Sequence, residues 1–335
     1  MTTAQCNFVN VFFIACAAVL MVTYLYVYNN LITTNIQFKK GNEKVAVAHG
    51  PDYDDEKIDM FVEEEQIRRA SLLAKYCKSN GSLHANSLKT FYFVVYDKKK
   101  IIYCRTGKTG STTTSRLLYN LENGVNLNAG AMKTSDSLSK PRLLNSYTEE
   151  EIALRLSTYF TLLVTRNPIE RLASAWMSRF LSNPHLRYNE QYRSMLQTIS
   201  SKESNVVKET KGDNMTKQIP FLAFVRAATD NKKKWENRHW IPVSDACSPC
   251  KVPYDFIAHT ETLADDLRLF LRKVGVTNRD HILPRTKQRA AAENLPNIYG
   301  FIPMEDVKRV IRKFKSDFEM FGYSYEEKFL EILKT

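Results

Sequence analysis

Glycine and proline are scarce in this chain of 335 residues, with 11 of each. That scarcity excludes a collagen-like or low-complexity protein. Acidic residues are outnumbered: 36 Asp and Glu stand against 48 Lys and Arg, a formal net charge of +12. An excess of this size points to a polyanionic partner, whether nucleic acid, anionic membrane, nucleotide or acidic sugar. No internal repeat of solenoid length occurs. With 44% hydrophobic and 25% charged residues, the composition is that of an ordinary globular protein. The length suits one large domain or two small ones.

Charge is missing altogether before Lys39. Inside that stretch, Phe8 to Tyr28 reads FVNVFFIACAAVLMVTYLYVY. As a helix it is long enough to span a bilayer core of about 30 Å. A transmembrane signal anchor is expected over residues 8–28, with 1–7 as a short tail. A cleaved signal peptide is the alternative, but the run is long for a signal core and no basic region precedes it. Tyr24, Tyr26 and Tyr28 suit an interfacial belt.

Six cysteines are present. Cys6 and Cys16 lie in or beside the apolar run. Cys77, Cys104, Cys247 and Cys250 belong to the soluble part, an even set that fits an oxidising lumen and allows three pairings. The sequons Asn80-Gly-Ser82 and Asn214-Met-Thr216 agree with that compartment. Cys247-Ser-Pro-Cys250 could also be a redox or zinc motif. The residues after Cys250 read as extended rather than helical, and Cys77 and Cys104 are too scattered to complete a zinc site.

Residues 29–88 read as a polar stem with a helix over Glu63–Cys77, where Ile67, Leu72, Leu73 and Tyr76 recur at near-helical spacing. A folded domain is expected over 89–335. TFYFVVYD and IIYC form strands around an Asp97–Lys100 turn. A loop then leads into the helix STTTSRLLYNL. The same order returns: the apolar strand Tyr159–Thr165, the break Arg166-Asn167-Pro168, and a helix with Ile169, Leu172, Ala173, Trp176 and Phe180 on its apolar face. Asn167 suits the N-cap and Pro168 the first helical position. A third strand is expected at Tyr254–Ala258, with helices over Leu263–Val274 and Met304–Phe318. Such alternation implies an α/β domain with a mainly parallel sheet.

Two junctions carry chemistry. In Tyr103-Cys-Arg-Thr-Gly-Lys108-Thr-Gly-Ser-Thr112, a strand ends, a glycine loop carries a lysine, and hydroxyl residues open a helix. Backbone N–H groups and the positive helix end then face an anion. A Walker A loop would need a further glycine where Ile102 stands, so a nucleotide kinase-like reading is weak. At the second junction, Arg166 closes a strand and Ser174 lies on the next helix, whose polar face also holds Arg171 and Ser178. Arginine with serine makes a fork for a phosphate monoester.

The two segments resemble the 5′-phosphosulfate loop and 3′-phosphate motif of sulfotransferases that use 3′-phosphoadenosine 5′-phosphosulfate (PAPS). They are most similar to the Golgi carbohydrate sulfotransferases that include the chondroitin 4-O- and HNK-1 enzymes. Lys108, Gly110, Thr112 and Arg116 match the first motif; Arg166, Pro168, Glu170, Arg171, Leu172, Ser174 and Ala175 match the second. Asn237-Arg-His239-Trp-Ile-Pro242, Cys247–Cys250, Tyr254-Asp-Phe256, Glu261-Thr-Leu263, Asp317-Phe and Phe321-Gly-Tyr323 resemble further blocks, in order. At Thr106, Ser111, Thr113–Ser115 and Val243 the sequence departs from the pattern.

The resemblance implies a P-loop-like PAPS-dependent sulfotransferase fold behind a transmembrane anchor, in a type II Golgi membrane protein with a lumenal domain. That topology overrides the basic residues Lys39, Lys40 and Lys44 after the span, because the charge rule is a bias. PAPS would be the co-substrate, with no metal. Its binding residues would be Lys108, Thr109, Gly110, Ser111, Thr112, Arg166 and Ser174. Lys108 and His239 would be catalytic, with Glu261 as the alternative base and packing of His239 with Trp240 as its structural alternative. The acceptor would be an acidic or neutral glycan, first a chondroitin-type GalNAc, with terminal glucuronic acid or N-glycan GalNAc as alternatives. Lys232, Lys233, Lys234 and Arg238 would draw an acidic polymer. Nucleic acid is not expected, and self-association stays open. A membrane-anchored glycan-binding protein without catalysis is the non-enzyme alternative.

Overall fold

The computed structural model of the protein describes residues 55–80, 87–126, 141–181, 220–230, 236–276 and 290–333. The expected tail and anchor, residues 1–28, lie outside the described residues, as do Asn214 and Lys232–Lys234. Among the described residues no helix is long and apolar enough to cross a membrane.

In chain order, the helices are α1 (Asp55–Asn80), α2 (Ser111–Asn123), α3 (Glu149–Thr158), α4 (Pro168–Trp176), α5 (Phe221–Ala228), α6 (Val243–Cys247), α7 (Leu263–Lys273), α8 (Ala290–Glu293), α9 (Leu295–Tyr299), α10 (Met304–Lys313), α11 (Lys315–Phe321) and α12 (Tyr325–Leu333). The strands are β1 (Phe93–Tyr96), β2 (Ile101–Cys104), β3 (Arg142–Leu143), β4 (Phe160–Thr165) and β5 (Phe256–His259), in the sheet order β3-β1-β2-β4-β5. Only β2, β4 and β5 run parallel; β1 pairs antiparallel with both β2 and β3. The sheet is therefore mixed rather than mainly parallel. The Asp97–Lys100 turn makes β1 and β2 a hairpin, and a hairpin is antiparallel by construction.

Both faces of the sheet are covered. Val94, Tyr96, Ile101, Tyr103, Leu162 and Phe256 pack with Leu117 and Leu121 of α2 and with Leu267 and Phe270 of α7. Phe93, Val95, Ile102, Leu163 and Ile257, pointing the other way, meet Leu73, Ile241, Val243 and Phe321. Alternate residues of one strand serve opposite layers, so the strands read as continuous apolar runs. A separate apolar cluster joins α4 to Phe224, Trp240 and Phe314. The helix expected over Met304–Phe318 is two, α10 and α11, meeting at Phe314, which is buried.

Helix α1 falls within the stretch expected to be stem, yet it packs on the domain. The compact unit runs Glu56–Thr335. Val62, Leu73 and Tyr76 are buried, while Ile67, expected inward, is 62% exposed. Polar contacts add to this packing. Gln66 accepts from the Ile257 N–H (3.0 Å) and donates to the Ile257 carbonyl (3.0 Å). Its amide thus completes the open edge of β5 as a neighbouring strand would. Beside it, Arg69 donates to the Ile257 carbonyl at 2.9 Å and to the fully buried Asp266 carboxylate at 2.7 Å.

Two disulfides close the framework, Cys77–Cys250 and Cys104–Cys247, with Cα separations of 5.3 and 5.8 Å. The two cysteines of the Cys-Ser-Pro-Cys turn pair outward to different partners, which is structural use and not a dithiol redox couple. Replacing Cys104 and Cys247 together by alanine should lower stability by about 2–5 kcal/mol. Denaturant unfolding measures it. A change below about 0.5 kcal/mol would show that packing alone holds β2 to α6.

Candidate active site

Parallel pairing sets up the site. Cys104 of β2 stands beside Leu163 of β4, and Thr165 of β4 beside His259 of β5. The segments that come after these strands therefore leave the same edge of the sheet, where ligands of α/β folds gather.

The first segment is the loop 105–110. Lys108 (φ 67°) and Gly110 (φ 73°) both take left-handed backbone, and so the chain turns sharply into α2. Inside the turn the Thr109 hydroxyl donates to the Thr106 carbonyl at 3.2 Å. Gly110 caps α2 with no side-chain bond to the first turn. Helix α2 shares this with α5, α7 and α10, whereas α3 has a capping box from Thr148 and Glu151 and α4 is capped by Asn167. The N–H groups opening α2 are thus left for an outside acceptor. Ser111 is half-buried and Thr112 exposed beside them. Lys108 has no carboxylate partner among the described residues. Burial, then Arg166 and Arg179, push its ammonium down to about 8.

The second segment carries Arg166, which is 7% exposed. Its guanidinium turns back on the next helix, pairing with Glu170 at 3.2 Å and reaching the Lys108 carbonyl at 3.5 Å. The Glu170 carboxylate also meets Lys328 at 3.0 Å. Ser174 lies half-buried one further turn along the same strip of α4. Arg166 is thus brought to loop 105–110, and Ser174 is aligned behind Glu170.

His239 meets the loop directly. The Gly107 N–H donates to the Arg238 carbonyl at 2.8 Å. A Cβ on Gly107 would lie 2.3 Å from His239 Nδ1 and 2.8 Å from its Cα, so only glycine fits. Trp240 is buried among Phe180 and Phe224 and anchors the segment from behind, leaving His239 to face the loop. Burial, then Arg179, Arg238, Lys108 and Arg171, hold the imidazole down at about 3. It is neutral at pH 7. The alternative base, Glu261, is engaged elsewhere: its oxygens accept from the Asn167 N–H and the Tyr323 hydroxyl, each at 3.2 Å.

Arg171, read as part of the polar face of α4, is 1% exposed. It donates to the carbonyls of Gly107 (2.9 Å), Ile241 (2.6 Å) and Arg238 (3.4 Å). It therefore ties the phosphate loop to the segment bearing His239. Asp317, also buried, caps α6 through the Val243 and Ser244 N–H groups at 2.7 and 2.8 Å. Its charge favours that of Arg171. Spacing within α4 gave no sign of this, because a buried arginine and a solvated one look alike in a helical pattern.

Cations and a neutral imidazole thus gather where the parallel strands end, an arrangement suited to an anion. The chain belongs to the sulfotransferase family, whose family model matches residues 91–324. It is 29% identical to carbohydrate sulfotransferase 10 of Homo sapiens over 279 residues, 77% of this chain and 75% of that protein. Against carbohydrate sulfotransferase 11 of Rattus norvegicus, the identity is 29% over 279 residues, covering 77% and 76%. Carbohydrate sulfotransferase 9 of Homo sapiens is 29% identical over 272 residues, covering 78% and 59%. No solved structure matches the chain.

Proposed function

We propose that this protein transfers a sulfuryl group from PAPS to a glycan hydroxyl, with a chondroitin-type GalNAc as the first acceptor to test. The observation that supports it most is the meeting of loop 105–110, Arg166 and His239 at one edge of the sheet. Lys108 and the amides of Gly110–Thr112 suit the 5′-phosphosulfate, with Lys108 offsetting charge on the leaving phosphate. Arg166 with Ser174 suits the 3′-phosphate. His239 takes the proton of the acceptor hydroxyl. The acceptor oxygen forms its bond to sulfur as the bond between sulfur and the bridging oxygen breaks, releasing adenosine 3′,5′-bisphosphate. A lumenal Golgi domain behind an anchor at residues 8–28 accords with the two disulfides, which persist in oxidising compartments. The carbohydrate sulfotransferases it is similar to support a glycan acceptor.

Incubating the full-length protein in detergent with labelled PAPS and a panel of glycans tests this reading. Label should pass to chondroitin. In Lys108→Ala and Arg166→Ala, each lost contact should remove about 1.5–3 kcal/mol of binding or transition-state stabilisation. Glycan binding with no PAPS consumption would favour the non-catalytic alternative. Unchanged bisphosphate binding in Arg166→Ala would remove that arginine from the 3′-phosphate site.

The depressed lysine gives a second test with no dependence on acceptor. Only the charged ammonium attracts the donor phosphates, and bound anion raises its pKa. Affinity for adenosine 3′,5′-bisphosphate should thus fall as pH rises above about 8. Calorimetry above that pH should show proton uptake on binding. Lys108→Arg, charged throughout, should abolish the uptake; its persistence would assign the proton to another group.

A further inference from the structure

Arg179 is close enough to Lys108 to help depress its ammonium, and it lies directly against His239. Helix α4 does not end at Trp176. It runs on as a π-helical turn, Met177–Leu181, a feature frequent at functional sites. In an unbroken α-helix Arg179 would follow Leu172 and Trp176 on the apolar face. With the turn widened, Phe180 keeps its place in the core against Trp240, while Arg179 is left half-buried at the site.

A terminal nitrogen of the Arg179 guanidinium bonds His239 Nε2. A guanidinium donates only, so Nε2 must be the accepting nitrogen and the proton must sit on Nδ1. Nδ1 is enclosed against Gly107. Only Nε2 is left to take a proton from an acceptor, and Arg179 covers it. Arg179 Nε is buried with no partner, and no carboxylate among the described residues pairs with the side chain. Whatever uncovers Nε2 must give this guanidinium another partner, because a displaced and desolvated charge is costly.

We propose that Arg179 determines acceptor specificity by binding a carboxylate of the acceptor next to the reacting hydroxyl. A uronic acid in the glycan draws the guanidinium into a bidentate pair and frees Nε2 in the same movement. Arg179 thus shields the base when no acidic acceptor is present. The inference rests on the assignment of His239 as base and deepens the glycan reading to a uronate-containing glycan.

The test compares desulfated chondroitin with its carboxyl-reduced form, using the full-length protein in detergent. For the unaltered protein, carboxyl reduction should raise acceptor KM by about tenfold or more, the scale of one charged hydrogen bond. In Arg179→Ala that ratio should collapse towards one, with KM for intact chondroitin raised by a similar factor. Arg179→Lys, which keeps the charge but not the fork, should fall between. Affinity for adenosine 3′,5′-bisphosphate should stay within about twofold, which also reports that the variants fold. A ratio near one in the unaltered protein, or an unchanged ratio in Arg179→Ala, overturns the proposal. So does a loss of bisphosphate affinity in both variants, which would make Arg179 a donor residue. Transfer to no glycan at all would instead remove the proposed function, and this inference with it.

Discussion

Arg171→Met is expected to lower the free energy of unfolding by about 3–5 kcal/mol, the usual consequence of removing one partner from a buried charged network. Methionine fills similar space, so the loss reports the bonds and not a cavity. The carbonyls of Gly107 and Ile241 would lose the guanidinium as donor, and that of Arg238 would keep only the Gly107 N–H. Asp317 would keep its two backbone N–H partners but lose the cation that favours its charge. Burial already pushes the Arg171 guanidinium down to about 10, a sign of how far it is removed from water. The functional loss should exceed the loss of stability, because the same three bonds hold loop 105–110 against His239. Bisphosphate binding and transfer should both fail at temperatures where circular dichroism still reports a fold. Arg171→Lys, which can satisfy one carbonyl, should recover part of the stability and little of the transfer. A methionine variant with unchanged unfolding free energy would show that α4 and the His239 segment are held by apolar packing alone.

His239→Ala should lower kcat by about 10²–10⁴-fold, the size of a general-base contribution, while bisphosphate affinity stays nearly intact. The donor-free imidazole, held at about 3 by burial and four cations, is a weak base. The phosphates of the donor offset those cations, so donor binding should raise the imidazole towards the working range. Only the neutral ring accepts a proton, so kcat should rise with pH through the donor-bound value and then level, and alanine should erase this limb. Charge changes nearby should shift it predictably. Removing the cation Arg179 should move the limb to higher pH. Near-normal kcat in His239→Ala on a true acceptor would dismiss the assignment. Glu261 would then need release from Asn167 and Tyr323 before it could serve.

Much of this site was legible in the sequence because its two halves are local. Cys104 to Thr112 and Thr165 to Ser174 are continuous segments, and strand, loop, lysine or arginine, and helix cap succeed one another along the chain. The Asn167 cap with Pro168 behind it, and the turn at Asp97–Lys100, stand where local chemistry puts them. The hidden features involve distant partners or polar surfaces. Helix α1 docks through Gln66 and Arg69, residues that a hydrophobic pattern counts as solvent-facing, while Ile67, which it counts as buried, faces water. The outermost strand, β3, is two residues long, too short for any periodicity, although the antiparallel β1–β2 hairpin beside it follows from the Asp97–Lys100 turn. The register that brings Gly107 to Arg238 and His239 is set by Arg171 and Trp240. Only the matching of ordered blocks to a family hinted that these segments belong together. Arg179 gave no signal for a different reason: nothing in the spacing beyond Trp176 marks the π-turn Met177–Leu181 that brings it to His239.

Both disulfides end in the same four-residue turn, and this orders the protein's birth. Cys77 and Cys104 leave the ribosome well before Cys247 and Cys250, with sequence separations of 173 and 143 residues across the two final bridges. At a synthesis rate of about 5–20 residues per second, the early thiols wait on the order of ten seconds for their partners. Meanwhile the only bridge these two can make with each other is Cys77–Cys104, which the finished fold does not contain. In an oxidising compartment that bridge must be undone by thiol–disulfide exchange before β2 can join α6 and α1 can join the turn. The yield of folded protein from a cell should therefore track its capacity to isomerise disulfides more than its capacity to form them.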